Sequence, residues 1–148
     1  MDLKIIAHMM PDTVDLIVVT FNRIKYFKTF VKFLYRSTQH PFNLIVVDNG
    51  SNDGTREYIL ELEKDGKVFK HVFNNENLPL AKAFTEGFKV SQSEFLVTVA
   101  DDMAINPGLK HDWLKIFLAK IKQDESIGSI SFVASRCLHD KFLRRYDV

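Results

Sequence analysis

Two adjacent carboxylates, Asp101 and Asp102, come directly after the apolar run of residues 95–100. Polar residues before this run, and Asn106-Pro107-Gly108 after it, are typical of the two ends of a buried strand. Two carboxylates cannot be buried without partners, because the removal of each charge from water is costly. The pair must therefore contact water, a cation or a cationic ligand, which indicates a divalent-cation site. A solvated loop start or a helix cap explains the same spacing equally well.

Apolar runs of strand length alternate along the chain with segments of helical period. This alternation predicts an α/β fold with a mostly parallel central sheet and helices on both faces, in one domain of residues 1–148. Functional groups are then expected at the carboxyl ends of the strands. The predicted strands are 14–19, 42–47, 68–73, 95–100 and 127–133.

Helices are expected between these strands, each with its own start or stop signal. The first covers residue 24 to about residue 36. Outside these helices, the tail 138–148 is polar and weakly patterned. The second begins after the capping residues 51–53 and ends at Asp65-Gly66. The third is capped by Asn77, has Pro79 in its first turn, and carries Leu80, Phe84 and Phe88 on one face. The fourth begins at Asn106-Pro107, with Trp113, Phe117 and Ile121 on its core side.

The segment 48–55 (Asp-Asn-Gly-Ser-Asn-Asp-Gly-Thr) follows a predicted strand and precedes a predicted helix. A strand-to-helix turn with a cap explains its residues 51–55 well. It explains Asp48 less well, and the carboxylate of Asp48 could accept N–H or O–H groups from a nucleoside. Arg23, Lys25 and Lys82 are the basic groups nearest this edge of the sheet. Each suits a diphosphate, and a solvated surface position explains each of them too.

Composition and motifs argue against several classes of protein. The net charge of +1 is too small for a nucleic-acid binder, which needs a basic face. The chain has no G-x-G-x-x-G, no phosphate loop and no G-x-S-x-G nucleophile elbow. The scattered histidines do not suit zinc, and the single Cys137 permits no disulfide within the chain. No apolar run approaches the length of a membrane span, so a cytoplasmic protein is expected, with peripheral attachment at the inner membrane face left open.

Four blocks, in this order, resemble the amino-terminal half of the family-2 glycosyltransferases, which are inverting nucleotide-sugar enzymes of the GT-A fold. They are Val-Val-Thr-Phe-Asn-Arg at 18–23, Val-Val-Asp-Asn-Gly-Ser-Asn-Asp-Gly-Thr at 46–55, the segment 75–87, and Val-Ala-Asp-Asp at 99–102. Pro107 and Trp113 follow the last block. The resemblance covers about residues 14–133, and the second block is its most specific part.

This resemblance implies a nucleotide diphosphate-sugar donor, expected to be a UDP- or dTDP-sugar, and a saccharide or lipid-linked acceptor. It implies Mn²⁺ or Mg²⁺ held by Asp102, with the donor's ribose on Asp101. The remaining residues with an implied contact to the nucleotide are Thr20, Phe21, Asn22, Arg23, Asp48, Asn49, Ser51, Asn77 and Lys82.

The chain departs from the family pattern at several positions. Ala100 stands at the first position of the D-x-D element, Pro79 where glycine is common, and Thr85 where asparagine is common. The family's acceptor-binding half and catalytic base lie beyond Val148, so no catalytic residue is predicted. Two alternatives stay open: a non-catalytic nucleotide-sugar-binding module or truncated relative, and a nucleotidyltransferase. The lack of glycine in residues 20–23 counts against the nucleotidyltransferase.

Overall fold

A computed structural model describes residues 12–105 and 111–131. Within them the four strands form one parallel sheet in the order β3-β2-β1-β4. The predicted α/β architecture, a mostly parallel sheet with helices on both faces, is confirmed. The strands are β1 (Val14–Thr20), β2 (Phe42–Asp48), β3 (Lys70–Phe73) and β4 (Phe95–Ala100), and the helices are α1 (Ile24–Ser37), α2 (Thr55–Lys64), α3 (Leu80–Val90) and α4 (Trp113–Gln123).

One face of the sheet carries α1, α2 and α4. Leu16 and Val18 of β1 share a buried cluster with Phe30 of α1, Ile59 of α2 and Leu114 of α4. Successive strand residues point to opposite faces, so alternate apolar residues of β1 and β2 supply this cluster. In α1, α2 and α4 the apolar residues recur with the helical period, so each of these helices buries one stripe of side chains against this face of the sheet.

Helix α3 covers the opposite face. Its Ala83 is buried with Ile17, Ile45 and Val47 of the two central strands. Gly87 lets the helix approach closely, because a Cβ added at this position would lie 2.5 Å from Cγ2 of Ile17. The distance between α3 and the sheet therefore depends on a residue without a side chain.

The order of the strands creates a crevice beside β1. The chain builds β1, β2 and β3 outward in one direction and then crosses back to place β4 on the other side of β1. The register pairs Thr20 with Asp48 and Val19 with Ala100, which brings the carboxyl ends of three strands into line. Ligands of open α/β sheets bind where the strand order reverses in this way.

The prediction of a fully buried fourth strand is wrong. Only Val99 of β4 is buried, whereas Leu96 is 44% exposed and Thr98 and Ala100 are exposed as well. Within the described residues β4 pairs with β1 alone, and α3 packs on the central strands rather than over β4. The face of β4 that carries Leu96 is therefore left open. The third strand is also shorter than predicted, because it begins at Lys70 rather than at residue 68.

The predictions for the starts of α3 and α4 also need correction. Asn77 does not cap α3, which begins at Leu80 after Pro79, and the predicted apolar stripe of α3 is partly open because Leu80 is 62% exposed. The fourth helix does not run from Asn106-Pro107 into Trp113. It begins at Trp113, where Asp112 accepts a hydrogen bond from the backbone N–H of Lys115. Residues 106–110 lie outside the described residues.

Residues 127–131 form no strand, so the predicted fifth strand is absent from the part of it that the structure describes. Residues 132–133, Cys137 and the tail 138–148 lie outside the described residues. In the two described ranges no helix combines the length and the apolar character that crossing a membrane requires. The assignment of residues 1–148 to one domain stays a prediction.

Candidate functional site

The two strands that flank the crevice are joined at their carboxyl ends by a buried hydrogen bond. Thr20, the last residue of β1, donates from Oγ1 to Oδ2 of Asp101 at 2.8 Å. Asp101 follows β4 directly, and both residues are buried. Val19 pairs with Ala100, so the next residues of the two strands, Thr20 and Asp101, lie side by side. The register therefore brings the hydroxyl of Thr20 within reach of the carboxylate of Asp101. One oxygen of Asp101 is thus satisfied by the sheet, and the other faces the crevice.

That second oxygen and a carboxylate oxygen of Asp102 converge on one cationic atom. Nη1 of Arg23 lies 3.2 Å from Oδ1 of Asp101 and 3.2 Å from Oδ2 of Asp102. The side chain of Asp101 is 6% exposed, that of Asp102 is 28% exposed, and that of Arg23 is 49% exposed. The acidic pair therefore forms an ion pair with Arg23 that is buried on the side of Asp101 and open to solvent on the side of Arg23.

The charges of this group depend on one another. Burial raises the pKa of Asp101, and the hydrogen bond from Thr20 and the charge of Arg23 only partly oppose this effect. Burial lowers the pKa of Arg23, but the attraction of Asp101 and Asp102 outweighs it and raises the pKa above its ordinary value. A positive charge at the position of Nη1 therefore supports the ionised form of Asp101.

The end of β2 forms a second polar centre, which is fully buried. Oδ2 of Asp48 accepts hydrogen bonds from Nε of Arg56 at 2.7 Å and from the backbone N–H of Ser51 at 3.1 Å and of Gly50 at 3.3 Å. Arg56 also donates to the carbonyl oxygen of Asn74. Asp48 has no exposed surface, so a nucleoside could reach its carboxylate only after a rearrangement of these groups. Its predicted contact with the base stays a prediction.

Asn49 connects the end of β2 to the segment that enters α3. Its Nδ2 donates to Oδ1 of Asn77 at 2.7 Å and to the carbonyl oxygen of Leu78 at 2.8 Å. Its Oδ1 accepts from Nδ2 of Asn74 at 2.9 Å and from the backbone N–H of Leu78 at 3.1 Å. The buried amide of Asn49 is therefore fully hydrogen-bonded, and it holds the segment 74–78 against β2.

Hydrogen bonds of Asn22 and Ser51 join the loop that follows β1 to the loop that follows β2. The backbone N–H of Asn22 donates to Oγ of Ser51 at 2.9 Å, and Oδ1 of Asn22 accepts from the backbone N–H of Asn52 at 2.8 Å. Asn22 has φ of 50°, a left-handed conformation that asparagine tolerates better than most residues. Asp53 completes the link by accepting from the backbone N–H of Ile24 at the start of α1.

A cleft of about 640 Å³ lies at the carboxyl ends of β1, β2 and β4. Leu78, Pro79, Leu80 and Phe84 form an apolar wall of this cleft. Asn22, Asp48, Ser51 and Lys82 do not line this cleft. The predicted site residues that do line it are Thr20, Phe21, Arg23, Asn49, Asn77, Asp101 and Asp102.

Sequence reasoning missed Arg56 and the apolar wall. Arg56 is the second residue of α2, and a cation in the first turn of a helix is unfavourable to the helix dipole. That position was therefore a signal for a carboxylate partner, which the structure identifies as Asp48. The apolar wall had a signal too, because the stripe of Leu80 and Phe84 follows Asn77 directly. The sequence pattern placed these residues on one face of the helix without a role in the site, whereas in the structure Leu80 and Phe84 line the cleft.

The acidic pair suits a divalent cation in part. Carboxylate oxygens are ligands that Mg²⁺ and Mn²⁺ prefer, and two of them already meet at one cationic atom. Ala100 adds no third carboxylate, and within the described ranges no three histidine, cysteine, aspartate or glutamate side chains are grouped to hold a metal. A cation held by Asp101 and Asp102 would therefore complete its coordination with water and with oxygens of a ligand.

The sequence profile described as "Glycosyl transferase family 2" matches residues 15–147. The chain belongs to this family. EpsH of Bacillus subtilis (strain 168), a protein proposed to be a glycosyltransferase, is 29% identical over 94 residues. That match covers 64% of this chain, and the chain spans only 27% of the length of EpsH.

Solved glycosyltransferases share the fold of this family-2 chain. TarS of S. aureus, residues 1–349 in complex with UDP-GlcNAc, has a TM-score of 0.64 and 23% identity, covering 83% of this chain and 37% of its own. The mannosyltransferase PcManGT of Pyrobaculum calidifontis, in complex with GDP-Man and Mn²⁺, has a TM-score of 0.57 and 22% identity. That likeness covers 64% of this chain and 28% of PcManGT.

Proposed function

We propose that this family-2 chain binds the donor of a glycosyltransferase, a nucleotide diphosphate-sugar, together with Mn²⁺ or Mg²⁺. The observation that carries the proposal is the convergence of Asp101 and Asp102 on one cation position at the crevice where the strand order reverses. Two similar structures contain a nucleotide-sugar, and one of them also contains Mn²⁺. We expect UDP or dTDP as the nucleotide.

In this proposal each side of the cleft has its own task. Asp102, the more open carboxylate, holds the cation, and Asp101, fixed by Thr20, accepts the hydroxyl groups of the donor's ribose. A bound cation would neutralise charge on the diphosphate as it leaves the sugar. The apolar wall beside Asn77 offers the less polar surface that a nucleoside needs, as in most small-molecule sites.

The proposal for the whole protein is wider. Transfer to the hydroxyl of a saccharide or lipid-linked acceptor, with inversion, needs a base that removes the acceptor's proton. This chain spans 27% of EpsH and 37% of the solved TarS chain, so the acceptor site and the base are not assigned to its residues. A non-catalytic donor-binding module would bind the same nucleotide and metal without turnover.

Asp102→Ala tests the metal assignment. The substitution removes a carboxylate at the open side of the site, so the fold should persist while the cation loses a ligand. We expect the affinity for UDP in the presence of Mn²⁺ to fall at least about tenfold, since even groups that only support a metal ligand often contribute that much. Isothermal titration calorimetry with UDP, dTDP and GDP, each with and without Mn²⁺, measures the effect.

Asp65→Ala is the matched control, because Asp65 is an exposed carboxylate at the end of α2 that pairs only with Lys67 in the structure. It should bind UDP and Mn²⁺ as the unmodified protein does. An Asp102→Ala protein that keeps its melting temperature and the full Mn²⁺-dependent affinity for UDP would refute the metal assignment.

A further inference from the structure

Nη1 of Arg23 lies at the point where the two carboxylates converge, which is the position proposed above for a divalent cation. It lies 3.2 Å from Oδ1 of Asp101 and 3.2 Å from Oδ2 of Asp102, and both residues line the cleft. The other oxygen of Asp101 already accepts from Thr20. A divalent cation held by Asp102 therefore competes with the guanidinium for this carboxylate on the side that lines the cleft.

We infer that Arg23 is an exchangeable counter-ion: it neutralises Asp101 and Asp102 in the free protein, yields Asp102 to the divalent cation and Asp101 to the donor's ribose, and then contacts the donor's diphosphate. This inference rests on the proposed function of the same cleft. It makes Arg23 a competitor of the metal in the absence of donor and a partner of the metal in its presence.

The position of Arg23 allows such an exchange. Its backbone is fixed at the start of α1, where its carbonyl oxygen accepts from the N–H of Phe27 at 2.9 Å. Its side chain is half exposed, and in the position that makes the ion pairs the guanidinium also lies 5.7 Å from the ring centre of Tyr26. The side chain can therefore turn within the cleft while the backbone stays in place.

Electrostatics favours the exchange in both states. Asp101 and Asp102 are adjacent like charges, one of them buried, so without a metal they need a cation nearby. A divalent ion supplies more charge at the same position and displaces the single charge of Arg23. The diphosphate that arrives with the metal is a good partner for the released guanidinium, whose planar fork of donors matches phosphate oxygens.

The first test is the affinity for Mn²⁺ alone. Arg23→Gln removes the competing charge, so we expect this variant to bind Mn²⁺ about fivefold more tightly, the equivalent of one partly exposed ion pair. Lys32→Gln is the matched control, because it removes one positive charge from an exposed side chain of α1, outside the cleft. Its affinity for Mn²⁺ should stay within about twofold of the unmodified protein.

The second test is the affinity for UDP at saturating Mn²⁺. Here Arg23→Gln should bind UDP about tenfold more weakly, because a charge-assisted hydrogen bond to the diphosphate is lost. Lys32→Gln should bind UDP normally. The opposite signs of the two effects in one variant are the signature of the exchange, and a purely structural role of Arg23 would weaken both.

A third measurement needs no loss of Arg23. In ¹H–¹⁵N spectra of the unmodified protein, the Nε–H signal of Arg23, assigned with the Arg23→Lys variant, should move during titration with diamagnetic Mg²⁺. A signal that stays still while Mg²⁺ binds would overturn the inference, as would unchanged or weaker Mn²⁺ binding by a folded Arg23→Gln variant. If Asp102→Ala also leaves Mn²⁺-dependent UDP binding intact, the proposed function fails; if only the Arg23 results fail, it stands.

Discussion

Asn49 both holds a neighbouring segment of the chain in place and lines the cleft. Its amide makes four hydrogen bonds that hold the segment 74–78, while the residue itself lines the cleft. Here an aspartate would lose both donors and would place a carboxylate against the carbonyl oxygen of Leu78.

Asn49→Asp should therefore destabilise the fold and disturb the cleft. We expect the free energy of unfolding to fall by about 1–3 kcal/mol, because a buried acceptor is left without its donor. Urea denaturation measures the change, and Asn52→Asp is the control because the side chain of Asn52 is exposed. Equal stabilities of the two variants would show that the amide of Asn49 does not hold the segment.

Asp48 marks the point where prediction of the site from sequence stopped. Its position at the end of a strand indicated a polar group at the ligand edge, and that placement is correct. The sequence pattern could not show that Arg56, eight positions later, would be turned back onto the same carboxylate. Such pairing depends on how a helix packs on its sheet, which is a property of the tertiary structure rather than of the local period.

Among the elements, α3 fits closely against the sheet at Gly87. Gly87 faces Ile17 and Val47, and a methyl group there would lie 2.5 Å from Cγ2 of Ile17 and 3.2 Å from Cγ2 of Val47. Either the helix or the two strands must move to admit it. Since α3 carries Leu80 and Phe84, which line the cleft, a shift of the helix would also move the apolar wall.

Gly87→Ala should lower the free energy of unfolding by about 1–3 kcal/mol through overpacking, an effect reduced by the better helix propensity of alanine. Thermal denaturation measures the loss. Adding Ile17→Ala removes the clashing methyl group, so the double variant should lose less than the sum of the two single variants. Gly128→Ala is the control, because a Cβ at residue 128 meets no atom within 4 Å. Additive losses would contradict the close approach.

Elements were predicted well where an apolar period and a buried neighbour act together, as in β1, β2 and α1. The predictions were wrong where the environment alone decides the outcome. Burial was predicted for β4 from the apolar residues 95–100, but an outer strand of the described sheet can leave Leu96 exposed. The start of α4 was predicted from Asn106-Pro107, whereas Asp112 supplies the cap that begins the helix.

Across the whole molecule, the end of the sheet opposite the cleft is held by one buried carboxylate. Asp15 of β1 accepts from Nδ2 of Asn43 in β2 at 2.8 Å and from the backbone N–H groups of Gln92 and Ser93, before β4, at 2.6 Å and 3.0 Å. Burial raises the pKa of Asp15, but these hydrogen bonds together outweigh it, so its pKa lies below the ordinary value. The ionised form thus ties three strands together.

This lowered pKa predicts a dependence of stability on pH. A carboxylate whose pKa is lower in the folded state stabilises the fold above its unfolded pKa of about 3.9 and loses that effect as the pH falls through the folded pKa. Asp15→Asn should therefore cost about 1–3 kcal/mol at neutral pH, and the difference from the unmodified protein should shrink below about pH 4. Urea denaturation between about pH 2 and pH 7 measures this; a difference that stays constant down to pH 2 would contradict it.

The strand order has a consequence for how this chain emerges during synthesis. Val14 of β1 pairs on one side with Phe42 and on the other with Phe95. The edge of β1 that pairs with β4 therefore has no partner strand until some eighty further residues have been synthesised. At about 5–20 residues per second the delay amounts to several seconds on the ribosome, with an apolar edge unprotected. Thr20 and Asp101 can form their hydrogen bond only after β4 has been synthesised and has docked beside β1. The cleft is therefore incomplete in the nascent chain until that point.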